Sequence, residues 1–290
     1  MDPLDRFIDI FQIVNRFVST ACALMIYGRI ICRLQHNYTS LTQYQNFLIA
    51  QCFLHIIGAL LRLSINARIS LDLKMSYGHE YFGMPPSIVS ILQCVHDAVR
   101  SAEFVVLMIF NVHRLICFTR PHQNKLFLKP AILLGFLFCV FAGVSRIIDK
   151  EVSAYCADFL LCATSVVTSG CFIILQRHLR RNNYSKRVKK MQGKLSKGLL
   201  IQVLLYVVTT AIVAILPPVV DFLSTMLGLS DAVGILVMAI NVMVTFIILA
   251  WYQVLIGFIT QWSISGFLRP KTRVRRISVA TTFETTSKAQ

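Results

Sequence analysis

Seven apolar runs constrain this chain more than any other feature. They lie near 8–31, 44–65, 86–118, 130–147, 155–175, 198–220 and 232–258. Each is close to or above the roughly 17–25 residues that cross a bilayer as helix. Composition agrees: 56% of residues are hydrophobic and 14% charged, where a soluble domain carries about 25% charged residues. The expected fold class is all-α, an integral membrane seven-helix bundle.

Charge orients it. The segments 32–43, 119–129, 176–197 and 259–290 hold 19 Lys and Arg, while the first residues and the other three connections hold 4. The positive-inside rule then places the N-terminus outside and the C-terminus in the cytosol. Residues 1–7 become a minimal extracellular segment, 8–258 the bundle and 259–290 a polar, disordered cytoplasmic tail. The first run reads as a retained signal anchor, with Arg16 snorkelling to the headgroups. The net charge of +16 reflects these cytoplasmic segments, which orient the chain and contact anionic lipid, rather than a nucleic-acid surface. Two glycosylation sequons, at Asn37 and Asn183, fall on the cytosolic side and are expected to stay unmodified.

The third run is the unusual one. It carries His96, Asp97, Arg100 and Glu103 in its first half, then His113 and Arg114. Charges in a membrane helix are costly and face a bundle interior or a water-filled cavity. The spacing lets Asp97 reach Arg100, so Arg100 and its two flanking acids form a self-neutralising cluster. On that reading Arg100→Ala leaves two acids unpaired and destabilises the protein. Two roles stay open for the cluster: a structural ion-pair network, or the lining of a ligand pocket.

Arg114 followed by Pro121, seven residues on, resembles the cytoplasmic end of the third helix in rhodopsin-like G-protein-coupled receptors. Tyr252 and Phe258 resemble the end of that family's seventh helix, and Pro217 its sixth-helix proline. The departures are specific. His113 stands in place of the acid before the arginine, no Trp precedes Pro217, and Ile248 and Leu249 replace Asn and Pro. Phe-rich helices and a short N-terminus look most like nematode serpentine chemoreceptors. The resemblance implies a plasma-membrane chemosensory receptor that turns small-molecule binding at His96, Asp97, Arg100 and Glu103 into activation of a heterotrimeric G protein. Arg114, Pro217 and Tyr252 would carry the activation. It also implies a bridge from Cys94 to Cys156. Tail residues Ser278, Thr281 and Thr282, following Arg275 and Arg276, match a kinase pattern that would recruit an arrestin-like partner. The sequence shows no zinc-ligand pair, catalytic triad or phosphate loop, so neither an enzyme nor a cofactor is expected. A seven-span transporter or channel is the alternative.

Overall fold

The computed structural model describes residues 3–35, 42–66, 68–69, 75–76, 85–120, 123–227 and 231–265. Among these residues, seven helices are long and apolar enough to cross a membrane. They are α1 Pro3–Gln35, α2 Thr42–Ile65, α3 Pro86–Thr119, α4 Asn124–Ile148, α5 Lys150–Arg181, α6 Lys186–Met226 and α7 Asp231–Ile264. A two-residue antiparallel ladder, β1 Arg68–Ile69 with β2 Met75–Ser76, sits between α2 and α3. The chain is a multi-pass membrane protein. Its outward faces carry Leu134, Phe136, Phe159, Val166 and Ile215, an apolar surface that water would not tolerate at this extent.

The helices start and stop where local chemistry dictates. Pro86 occupies the first turn of α3, where its missing N–H costs nothing. Asn66 closes α2 at φ 44°, a left-handed conformation that asparagine tolerates. Ser185 caps α6 by accepting the Val188 N–H at 3.3 Å.

That cap corrects the sequence reading. Segment 176–197 is no loop: α5 runs on to Arg181 and α6 begins at Lys186, leaving a four-residue turn. Lys, Arg, Gln, Leu and Met are good helix formers, so a polar run beside a membrane helix extends it. α6 has 41 residues, about 60 Å at 1.5 Å per residue, twice the hydrocarbon thickness. α1 likewise begins at Pro3 and takes in residues assigned to the short N-terminal segment. α7 continues to Ile264, past 258. α4 starts six residues before Pro130, which is therefore interior. α6 itself stays helical through Pro217 and Pro218.

α3 packs against α2, α4 and α5, while α7 closes the bundle between α1 and α6. Glycines bring α4 and α6 close to their neighbours. A Cβ on Gly135 would stand 2.4 Å from Val105 Cγ1, and one on Gly198 2.2 Å from Ser263 Cβ. Gly135→Ala is expected to destabilise the bundle by about 1–3 kcal/mol through overpacking, read as a lower unfolding midpoint in detergent.

Candidate functional site

A cavity of about 470 Å³ opens in the half of the bundle nearest Pro86. This size lies within the range of small-molecule sites. Every helix except α4 and α5 gives it several walls; those two contribute Arg146 and Asp158. His96, Asp97 and Arg100 line it. Glu103 does not. It is 4% exposed and engaged by other groups.

The expected pairing of Asp97 with Arg100 is not formed. Asp97 turns to α4 and α5, where Arg146 Nη1 donates at 2.7 Å and Ser153 Oγ at 2.9 Å. His96 Nδ1 stands 3.4 Å from the other carboxylate oxygen. Arg146 also donates from Nε and Nη2 to Gln93 Oε1, at 3.2 and 2.9 Å. A guanidinium from another helix offers a fork that a neighbour three residues along the same helix does not match. Arg100 makes no hydrogen bond or ion pair with a described residue. The basis for a large Arg100→Ala destabilisation is thereby removed.

Glu103 meets His55, whose Nδ1 is 3.1 Å from Oε1, though without hydrogen-bond alignment. Its other oxygen accepts the Tyr206 hydroxyl at 3.0 Å. Gly58 makes the approach feasible, since a Cβ there would lie 3.1 Å from the carboxylate. His55 stacks on Tyr27, whose hydroxyl donates to the Gln253 carbonyl at 2.8 Å. The Tyr252 hydroxyl accepts from Arg62 Nη1, and that guanidinium also lies over the Tyr252 ring. Tyr252 thus lines the cavity in mid-bundle, not at the coupling end where the resemblance put it. The cause is local: α7 extends three more turns, and Arg62 with Tyr206 holds the ring inward.

At the far end of α3, Arg114 is 1% exposed. Its Nη2 donates to Gln192 Oε1 at 3.0 Å and to Ser196 Oγ at 2.9 Å, both on α6. The guanidinium also lies toward the Phe110 ring. No carboxylate takes part among the described residues, and Nε–H finds no acceptor there. The two helices are therefore latched by neutral acceptors. One turn above, Asn111 Nδ2 donates to Thr168 on α5 at 3.2 Å. Gln51 and Thr260 bracket Gln202, giving α6 a second polar tie. His113 is buried against Tyr44 and Phe47.

Further expectations are corrected. Cys94 and Cys156 are free thiols. Cys156 lies inside α5, not in a connection, and the Cys94 turn packs on α4 at Gly143. Arg16 does not snorkel: it is buried, donates to Asn66 Oδ1 at 3.0 Å and lies over Phe246. Asn37, Pro121, Ser278, Thr281 and Thr282 lie outside the described residues. No group of three metal-ligating side chains is gathered among the described residues.

The sequence reading missed Arg146, Gln192 and Ser196. A signal for the first was present: six arginines interrupt the apolar runs, and Arg16, Arg62, Arg100 and Arg146 all reach the cavity. No protein-family model matches the chain, and no curated protein matches it.

Proposed function

We propose that the chain is a G-protein-coupled receptor, chemosensory in role, resting in the plasma membrane with its N-terminus outside. The observation that carries this reading is the Arg114 latch: a buried arginine at one end of α3 whose hydrogen bonds to described side chains go to Gln192 and Ser196 of α6. α6 also lines the cavity, through Tyr206, Thr209, Thr210 and Val213. One helix therefore touches both sites. A ligand that prefers an arrangement with α6 displaced shifts the equilibrium by its difference in affinity for the two states. α6 pivots near Pro217, Arg114 loses its acceptors, and a cleft opens for the G protein beside the basic α5–α6 hairpin. The cytoplasmic tail, phosphorylated near Ser278, Thr281 and Thr282, engages an arrestin-like partner.

The second reading, a transporter or channel, draws on the same cavity of intramembrane arginines, since such residues also mark solute pathways. Reconstitution separates the two. A receptor drives guanine-nucleotide exchange on added heterotrimeric G protein and passes no solute in proteoliposomes. Flux without exchange would replace the receptor reading.

The orientation has its own test. Asn183 is exposed in the α5–α6 turn, so a glycan could be attached if that turn faced the lumen. Protein from a eukaryotic host is expected to show no glycosidase-sensitive mass at Asn183. A glycan there would invert the topology.

A further inference from the structure

We infer that the cavity takes an amphipathic organic anion, with its acid group paired to Arg100. This deepens the receptor reading and rests on the cavity being the ligand site. Four arginines line the cavity against two aspartates. One aspartate, Asp97, is already held by Arg146 and Ser153. The other, Asp158, is exposed. Glu103 contributes a further negative charge below, but His55 and Tyr206 engage it.

Among the described residues, neither Arg62 nor Arg100 forms an ion pair. Arg62 has the Tyr252 hydroxyl and ring, a neutral partner. Arg100, half-buried, has no hydrogen bond or ion pair with a described side chain. An intramembrane guanidinium without a counter-charge is costly. A planar carboxylate, accepting two parallel N–H bonds, removes that cost and matches the fork in geometry. An amine would meet the same arginines as like charges. The rest of the wall is apolar: Ala23, Ala59, Ile65, Val213, Phe246 and Leu249. It suits a hydrocarbon or aromatic body attached to the acid. The acid group could belong to a free organic acid or to a lipid headgroup entering between helices; the recognition chemistry is shared.

The test uses the full chain in phosphatidylcholine nanodiscs, without G protein. Three probes share one body: 3-phenylpropanoate, 3-phenylpropanol and 3-phenylpropylamine. Unfolding midpoint and equilibrium binding are read for each. The carboxylate is expected to raise the midpoint saturably and to bind at least about tenfold tighter than the alcohol, with the amine weakest. Arg100→Gln removes the preference; Arg100→Lys, which keeps the charge but not the fork, retains part of it. In nanodiscs containing phosphatidic acid, competition that Arg100→Gln abolishes assigns the anion to a lipid headgroup and supports the same chemistry. No competition assigns it to a free acid.

Carboxylate binding no better than alcohol, up to the solubility limit, overturns the inference. So does tighter binding of the amine, or a preference that survives Arg100→Gln. The ranking in the unmutated protein holds whether or not a variant folds. Failure here with intact nucleotide exchange removes the anion and leaves the receptor. Binding without exchange removes the receptor and leaves the anion site.

Discussion

Arg146→Ala is expected to destabilise the protein by about 2–4 kcal/mol, while Arg100→Ala causes no loss of stability. The first figure follows from removing one partner of a largely buried ion pair, which costs about 3–5 kcal/mol when burial is complete. Here the side chains of Arg146 and Asp97 are 17% and 18% exposed, so the lower part of that range applies. Arg146→Ala strands the Asp97 carboxylate with Ser153 and a distant His96, and it also frees Gln93. The second expectation follows from an arginine that pairs with no described acid, so that its removal leaves no described acid unpaired and takes away an uncompensated charge. Unfolding midpoints of the two variants in one detergent check both. The reverse order, with Arg100→Ala the more damaging, would restore the pairing of Asp97 and Glu103 with Arg100 along α3. A cycle of Asp97→Asn and Arg146→Gln is expected to show coupling of about 1–3 kcal/mol.

The contrast shows how much was legible in the sequence. The seven helices were, because long apolar runs in hydrocarbon have only one way to satisfy their backbone. The chemistry of α3 was legible residue by residue, and His96, Asp97 and Arg100 do reach one cavity. Their partners were not. Spacing along one helix reports only neighbours three or four residues away. Arg146 lies 49 positions from Asp97 and meets it only once α3 and α4 are packed. Gln192 and Ser196 were hidden for a different reason. Polarity alone marked 176–197 as a loop, although its residues favour helix and Ser185 is a ready cap. Arg16 and Tyr252 show the same limit in the other direction. Each was assigned to a membrane boundary, and each is drawn into the cavity wall by a partner on a distant segment, Asn66 and Arg62.

The second large effect concerns the latch. Hydrogen bonds to a charged group contribute about 1.5–3 kcal/mol each, and 1.4 kcal/mol is tenfold in a population. Gln192→Ala with Ser196→Ala removes both side-chain acceptors of Arg114 and leaves the Gln192 carbonyl at 3.4 Å. The latched state loses more than the open one, because only the latched state makes these bonds. Basal nucleotide exchange without ligand is expected to rise about tenfold or more. Arg114→Ala also breaks the latch, but on the receptor reading it removes the group proposed to meet the G protein. It is expected to spare binding of an agonist at the cavity and to abolish exchange.

The most direct test of the receptor account measures basal and ligand-stimulated guanine-nucleotide exchange for three proteins in one membrane preparation. They are the unmutated chain, Gln192→Ala/Ser196→Ala and Arg114→Ala, matched for surface expression. The expected result is low basal exchange in the first, raised basal exchange in the second and none in the third. Basal exchange unchanged by unlatching, together with full stimulated exchange in Arg114→Ala, would contradict it.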